Sequence, residues 1–182
     1  MVIGNGSSLK LLKLRKKIVI TGPESSGKST LSKLLAKEFG ASYLAEYART
    51  YLEKLQGPYQ FEDVLTMARG QLRQEKELEE ELVFLDTDLT VYAVWIKEKY
   101  NQEIDWIEDH LNESTAKIYL LCAIDVEWED DPLREHPKQA DRQRLFEHYK
   151  TLLEKHKLTY HVIAGDIPTR LKKCKEIIDN SI

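Results

Sequence analysis

Short apolar runs alternate along this chain with stretches in which apolar residues recur every three or four positions. The runs that read as strands cover residues 17–21, 42–45, 82–85, 117–123 and 160–163. A run without polar alternation is typical of a strand buried on both faces of a parallel sheet. Because helical patterns separate these runs, the sequence predicts an α/β fold, a parallel five-stranded sheet with helices on both faces.

Helical periodicity is clearest directly after the first strand. Apolar residues there fall at i, i+3, i+4 and i+8 on one helix face, namely Leu31, Leu34, Leu35 and Phe39. Further helical patterns cover residues 60–81, 103–111 and 167–178, and two more contain Tyr92 and Leu145. Residues 126–141 carry prolines and charges without a period, which predicts a surface loop or short lid.

The first sixteen residues continue neither pattern. Residues 4–8 are Gly, Asn and Ser, and residues 9–17 place five basic side chains among leucines. Because these charges follow and interrupt the apolar residues, the segment lacks the order of a secretory signal. We expect residues 1–16 to be an N-terminal extension, either solvated or a short surface helix, with an anchor or partner-binding helix as the alternative. Residues 17–182 form one predicted domain.

Composition narrows the class of protein. The chain has 182 residues, 42% hydrophobic and 32% charged, which fits a soluble globular protein. Its net charge of −4 gives no reason to expect nucleic acid or an acidic membrane as partner, and the expected partner is a small molecule. Cys122 and Cys174 fall in a strand and on a helix face, which favours inert reduced thiols and a cytoplasmic setting. Nothing in the pattern indicates an oligomeric state.

The segment between the first strand and the first helix carries the strongest chemical signal. It reads G-x-x-x-x-G-K-S from Gly22 to Ser29, which in this context is the pattern of a phosphate-binding loop. Backbone N–H groups can face phosphate oxygens, Lys28 adds a cation, and the Ser29 hydroxyl can ligate Mg²⁺. The predicted nucleotide-binding residues are Gly22, Glu24, Ser25, Ser26, Gly27, Lys28, Ser29 and Thr30. ATP with Mg²⁺ is the expected ligand, since the chain lacks the Asn-Lys-x-Asp element that reads guanine in many GTPases.

Charged residues follow two other strands, at the sheet edge where open α/β folds bind ligands. Asp86 stands directly after the third strand, the position of a carboxylate that meets Mg²⁺ beside Ser29. The Asp88 side chain is expected to contact a metal-bound water or a substrate hydroxyl group. The alternative is that it caps the next helix. After the second strand, Glu46 can accept the proton of an attacking hydroxyl and Arg49 can clamp substrate or phosphate. The alternative is that Glu46 and Arg49 form an ordinary surface ion pair.

The predicted lid contributes basic side chains and a tryptophan. Arg134, Arg142 and Arg144 can stabilise charge on a transferred phosphoryl group when the lid closes, or else remain solvated. Trp128 is either a hydrophobic plug at the hinge or a stacking platform for substrate. The five histidines show no metal-ligand spacing, and no Ser/His/Asp or Cys/His arrangement indicates nucleophilic catalysis.

Several of these motifs together resemble one family. The loop from Gly22 to Leu31, the segment Glu46-Tyr47-x-Arg49-x-Tyr51 and the triplet Asp86-Thr87-Asp88 are similar to the ribosylnicotinamide kinase domain of the bacterial NadR proteins. The similarity continues in the lid, with Trp128-x-x-Asp131-x-Leu133-Arg134 and Asp141-Arg142, and covers nearly the whole chain from about Lys17. The loop is common to many kinases, whereas Glu-Tyr-x-Arg with Asp-Thr-Asp is much more distinctive.

The resemblance implies a P-loop kinase fold and transfer of the ATP γ-phosphate to the ribose 5′-hydroxyl of nicotinamide riboside. It implies substrate-binding or catalytic roles for Glu46, Arg49 and Asp88. The complete set of expected roles is catalysis by Lys28, Glu46, Asp88, Arg134 and Arg142, substrate binding by Glu46, Tyr47, Arg49, Asp88 and Trp128, and metal ligation by Ser29 and Asp86.

Two features depart from the family pattern. The family can carry a tryptophan before its Glu-Tyr, suited to stacking on the nicotinamide ring, but Ala45 stands there. Either Tyr47, Tyr92 or Trp128 is then expected to supply the aromatic platform, or the substrate carries a base other than nicotinamide. NadR proteins also carry a nucleotidyltransferase domain ahead of the kinase, which sixteen residues cannot hold, so adenylyl transfer is not expected. The alternatives are a kinase for another nucleoside or nucleotide, and an ATP-dependent regulatory NTPase.

Overall fold

The computed structural model describes residues 16–114 and 116–181. The strands in this part of the chain are β1 (Lys16–Thr21), β2 (Ser42–Leu44), β3 (Leu82–Asp86), β4 (Ile118–Cys122) and β5 (Thr159–Ile163). The helices are α1 (Lys28–Phe39), α2 (Tyr47–Leu52), α3 (Phe61–Glu77), α4 (Leu89–Tyr100), α5 (Asp105–Glu113), α6 (Gln139–Lys155) and α7 (Ile167–Asp179). The predicted N-terminal extension lies outside the described residues, apart from Lys16, which begins β1.

The five strands form one parallel sheet in the order β2-β3-β1-β4-β5. Side chains of β1 alternate between its two faces. Ile18 and Ile20 pack with α1 and α7, whereas Val19 faces the larger core formed with α3, α4 and α6. The prediction of a parallel five-stranded sheet with helices on both faces is therefore confirmed. Since β1 lies between β3 and β4, the loop after β1 opens into the crevice where the strand order reverses, the usual ligand site of such sheets.

The irregular segment between β4 and α6 lies three residues earlier in the chain than the sequence pattern predicted. Helix α6 begins at Gln139, directly after Pro137 and Lys138, so the lid is residues 123–138. Arg142 and Arg144 consequently lie on a helix rather than in the lid. Both cysteines are buried and free. Within the described residues, no helix is both long and apolar enough to cross a membrane.

Candidate active site

A cavity of about 580 Å³ opens at the carboxyl ends of the central strands. Its floor is the phosphate-binding loop, one wall is formed by α2 and α4, and the lid with α6 closes the other side. The volume falls within the range of small-molecule sites. All eight predicted nucleotide-binding residues line this cavity.

The backbone of the phosphate-binding loop is tightly constrained. Gly22 has a φ of 136°, and a Cβ atom at this position would lie 2.9 Å from the Cys122 carbonyl oxygen. Inside the loop the Pro23 carbonyl accepts hydrogen bonds from Ser26 Oγ and Lys28 Nζ, both at 2.7 Å. The loop leads directly into α1, whose N-terminus favours an anion. Strand, loop and helix together form the phosphate-binding structure that the sequence predicted.

A buried arginine that the sequence analysis missed supports this loop from below. Arg170 of α7 is fully buried and donates hydrogen bonds to the carbonyls of Ser26 (2.7 Å), Gly165 (2.8 Å) and Ala123 (3.1 Å). It also pairs with Asp125. Its position three residues after Ile167, on the apolar stripe of α7, was the signal that could have revealed it.

Glu46 brings a carboxylate with a raised pKa into the cavity. The residue precedes α2, is half-buried and lines the same space as Lys28. Burial is the main cause that raises its pKa to about 7, and the negative charges of Asp86 and Glu24 add to it. Lys28 and Arg49 act in the opposite direction. A carboxyl group that titrates near neutral pH suits a general base.

Asp86 has the features of a metal ligand. Its Oδ2 atom accepts a hydrogen bond from Tyr43 Oη at 3.1 Å, whereas its buried Oδ1 atom has no partner among the described residues. A buried unpaired oxygen requires an explanation, and a bound cation is one. Ser29 lines the cavity at the start of α1. One carboxylate and one hydroxyl fit Mg²⁺, which keeps most of its coordination for phosphate oxygens and water. No group of three His, Cys, Asp or Glu side chains that could hold a metal occurs in the described part of the chain.

The position of the Asp88 side chain differs from the one that the sequence predicted. Its side chain is fully buried, does not line the cavity, and caps α4 by accepting a hydrogen bond from Thr90 N at 2.9 Å. Its Oδ2 atom lies 3.0 Å from Lys117 Nζ and 2.9 Å from Tyr119 Oη. The helix-cap alternative therefore holds, and the side chain lies outside the cavity in which its catalytic and substrate-binding roles were expected.

The expected aromatic platforms also lie elsewhere. The Tyr47 ring packs directly on Gly70 of α3, and Tyr92 is fully buried. The guanidinium carbons of Arg134 and Arg142 lie 5.7 and 5.8 Å from the centroid of the Trp128 ring. None of the three aromatic rings lines the cavity. The predicted substrate contacts of Tyr47 and Trp128 are therefore corrected to packing within α2–α3 and within the lid.

A different aromatic residue, Trp95 of α4, lines the cavity. Tyr149 of α6 lines it as well, and the surrounding apolar surface comes from Ala48, Leu52, Val91, Val94 and Leu145. The sequence placed Trp95 one turn after Tyr92 on the same helix, but gave no sign of which of the two faces the cavity. The apolar wall formed by α2 and α4 is called the acceptor wall below.

The arginines differ in what they can contact. Arg134 of the lid lines the cavity and donates to Ser25 Oγ at 3.4 Å and to the Glu129 carbonyl. Arg142 is buried and donates to the carbonyls of Ser25 at 2.9 Å and Val126 at 3.3 Å. Because its guanidinium group is directed to backbone carbonyls and does not line the cavity, the predicted catalytic role of Arg142 is corrected to support of the loop.

The lid contacts the phosphate-binding loop through two acceptors. Glu24 Oε2 accepts hydrogen bonds from the backbone N–H groups of Glu135 (3.0 Å) and His136 (2.9 Å). Ser25 Oγ accepts one from Glu129 N at 2.9 Å. On the opposite side, Arg49 lines the cavity and pairs with Asp131 of the lid at 2.6 Å. The lid therefore spans the cavity from the nucleotide loop to α2.

Comparisons with known proteins agree with this geometry. The chain is 25% identical over 169 residues to the trifunctional NAD biosynthesis/regulator protein NadR of Salmonella typhimurium, a match that covers 88% of this chain and 41% of that protein. The NadR protein of Escherichia coli matches to the same extent. The chain thus spans about two fifths of the length of these curated relatives.

Solved structures show the same fold. A NadR protein in complex with NR superposes with a TM-score of 0.73 at 23% identity, covering 92% of this chain and 52% of that one. A NadR protein in complex with NAD and AMP-PNP gives 0.72 at 20% identity, with 92% and 49% covered. Deoxyadenosine kinase from M. mycoides gives 0.61 at 17% identity, with 90% and 99% covered. The fold is that of the P-loop kinases, and the resemblance to NadR proteins is confirmed. Since the sequence model of the AAA domain family matches residues 17–170, most of the chain, this protein belongs to that family.

Proposed function

We propose that this protein transfers the γ-phosphoryl group of ATP to the ribose 5′-hydroxyl of nicotinamide riboside. The observation that carries the proposal is Glu46, a carboxyl group whose pKa is raised to about 7 inside the cavity that holds the phosphate-binding loop. A base of this kind is suited to an alcohol acceptor. The similarity to NadR proteins, one of which is solved in complex with NR, supports the choice of acceptor.

The phosphate-binding loop and Lys28 would hold the nucleotide. Its phosphates meet the backbone N–H groups before α1, and Lys28 Nζ exchanges the Pro23 carbonyl for a phosphate oxygen. Ser29 and Asp86 would hold Mg²⁺, which when bound neutralises charge on the β- and γ-phosphate oxygens. Arg134 is the lid arginine that lines this space, and it adds positive charge where the transferred group passes.

The acceptor would lie against the acceptor wall with its hydroxyl group toward Glu46. The hydroxyl oxygen forms a bond to the γ-phosphorus, the bond from that phosphorus to the β–γ bridging oxygen breaks, and ADP leaves. Glu46 accepts the hydroxyl proton in its ionised state. Trp95 offers an indole ring on which a planar base can stack, and closure of the lid excludes water.

A steady-state assay of ADP release across a panel of acceptors tests the proposal. Nicotinamide riboside should give the highest kcat/KM, with phosphate on its 5′-oxygen, and Glu46→Gln should lower kcat by at least about 100-fold. Much faster phosphorylation of thymidine, deoxyadenosine or a nucleoside monophosphate would refute the acceptor. ATP turnover that no small acceptor increases would refute the kinase and favour a regulatory NTPase.

A kinase for another nucleoside is the second candidate. Ala45 is exposed and carries no ring, so the cavity has no aromatic group at the position where the family can stack the nicotinamide. The acceptor wall then recognises a base mainly through Trp95 and aliphatic side chains, which accept any planar ring. The same panel separates the two candidates, because a purine or pyrimidine nucleoside would exceed nicotinamide riboside in kcat/KM.

A further inference from the structure

A group of polar side chains joins the lid to the acceptor wall, and neither the phosphate-binding motif nor the proposed chemistry accounts for it. The group consists of Tyr59, in the loop between α2 and α3, Lys99 of α4, and Glu135 of the lid. We call these three residues the latch. They come from three separate elements, and they meet at the hydroxyl group of Tyr59.

The Tyr59 hydroxyl makes three polar contacts. It accepts a hydrogen bond from Trp95 Nε1 at 3.0 Å and one from Lys99 Nζ at 2.5 Å, and it donates to Glu135 Oε1 at 2.8 Å. Its ring meets the Trp95 ring edge to face, with centroids 5.0 Å apart. Two independent contacts from Tyr59 therefore fix the orientation of the indole that lines the acceptor wall.

Glu135 contacts both halves of the cavity at once. Its backbone N–H donates to Glu24 Oε2 in the phosphate-binding loop at 3.0 Å. Its carboxylate accepts hydrogen bonds from Tyr59 and, at 3.1 Å, from Lys99. A single lid residue is thus bound to the nucleotide side by its backbone and to the acceptor side by its side chain.

Burial decides which of these contacts matters most. The Lys99 and Glu135 side chains are 38% and 42% exposed, so their ion pair alone contributes little. Burial and the neighbouring carboxylate of Glu135 raise the pKa of Tyr59, which keeps its hydroxyl protonated and able to donate. The hydrogen bond from Tyr59 to Glu135 is consequently the central contact of the latch.

We propose that the latch couples closure of the lid over the nucleotide to the orientation of Trp95, so that nucleotide and acceptor bind cooperatively. Glu135, Tyr59 and Lys99 are positioning residues in this scheme. The identity of the acceptor rests on the proposed function, whereas the contact between lid and acceptor wall does not. By linkage, the nucleotide strengthens acceptor binding by the same factor by which the acceptor strengthens nucleotide binding.

Hydrogen exchange in the ligand-free protein tests the contact itself. Tyr59→Phe removes one hydroxyl group outside the lid, and it should accelerate amide exchange in residues 126–138. Glu135→Ala removes the carboxylate that accepts from Tyr59, and it should in turn accelerate exchange in residues 53–60. Glu127→Ala is the matched control in the lid: within the described residues the hydrogen bond of Glu127 is made by its backbone carbonyl, which accepts from Ser25 Oγ at 3.4 Å, so the change should alter exchange in neither segment. Unchanged exchange across the two elements in both latch variants, with melting temperatures near that of the wild type, would overturn the proposal.

Calorimetric titration tests the cooperativity. AMP-PNP with Mg²⁺ should lower the Kd of nicotinamide riboside by about tenfold in the wild type and by less than about threefold in Glu135→Ala and Tyr59→Phe. The double variant should match the single ones, because Glu135→Ala and Tyr59→Phe each remove the hydrogen bond from Tyr59 to Glu135. Equal coupling in wild type and variants would overturn the proposal. If nicotinamide riboside does not bind the wild type, the proposed function fails, and the exchange experiment alone then decides for or against the latch.

Discussion

Replacing Glu46 tests the chemistry of the cavity through its dependence on pH. With a pKa of about 7, the carboxyl group is about 10% ionised at pH 6 and about 90% ionised at pH 8. If the ionised form is the base, kcat/KM should rise about tenfold between these values. A carboxyl group at its ordinary pKa of 4.5 would already be ionised at pH 6, and the profile would be flat.

The assay follows ADP release at saturating Mg²⁺, so that titration of free ATP does not contribute to the profile. Glu46→Gln should abolish the rise with pH and lower kcat by about 100-fold or more, while the Kd of AMP-PNP changes by less than about threefold. Glu24→Gln removes a negative charge that raises the pKa of Glu46, so it should move the midpoint of the rise to lower pH. A flat profile in the wild type, or unchanged kcat in Glu46→Gln, would refute the role of Glu46.

The same shift predicts a change in stability that does not depend on turnover. Because the pKa of Glu46 is raised on folding, its ionisation destabilises the folded state as pH rises from 4.5 to about 7. A shift of this size sets an upper limit of about 3 kcal/mol, and water in the open cavity reduces this to on the order of 1–2 kcal/mol. Glu46→Gln should therefore raise the free energy of unfolding at pH 8 but not at pH 4. Denaturant titrations at pH 4 and pH 8 measure the free energy of unfolding of both proteins. An equal change on substitution at the two pH values would contradict the raised pKa of Glu46.

Three further substitutions test the other parts of the site. Tyr43→Phe removes the hydrogen bond that orients Asp86, and it should weaken Mn²⁺ binding in the presence of AMP-PNP by about 10- to 100-fold, as measured by electron paramagnetic resonance. Asp88→Asn leaves Lys117 with less compensating charge, so the melting temperature should fall while kcat of the folded protein stays within about threefold. A selective loss of kcat would restore Asp88 to the catalytic set. Arg170→Met removes the cation that pairs with Asp125 and the hydrogen bonds to three carbonyls, and it should destabilise the protein by about 3–5 kcal/mol in denaturant titrations. A smaller loss would show that the loop holds its shape without this arginine.

The sequence was informative where structure depends on nearby residues. The apolar runs located all five strands, and the spacing from Gly22 to Ser29 located the loop, because both signals are local. The side chain of Asp88 could not be oriented in this way. Thr87 has a φ of 66°, a left-handed conformation that turns the chain after β3. The side chain two residues after Asp86 is therefore directed into the core instead of into the cavity.

The assignments that failed in the lid and on the acceptor wall depended on tertiary packing. Whether Tyr47, Tyr92 or Trp95 faces the cavity is decided by how α2, α3 and α4 pack together, and no local pattern contains that information. Arg142 was assigned to the lid because charged residues continue across the start of α6. Contacts between elements distant in the chain, such as Tyr59 with Glu135, leave no mark in the periodicity of either segment.

The absence of a side chain at Gly70 has a consequence for variants far from the reacting groups. Gly70 lies on α3 outside the cavity, where the Tyr47 ring occupies the space that a methyl group would need. Tyr47 is the first residue of α2 and directly follows Glu46, so a larger residue at position 70 would push aside the ring of the residue next to this carboxylate. An alanine introduced there would therefore act first on the neighbour of Glu46, although position 70 itself lies outside the cavity.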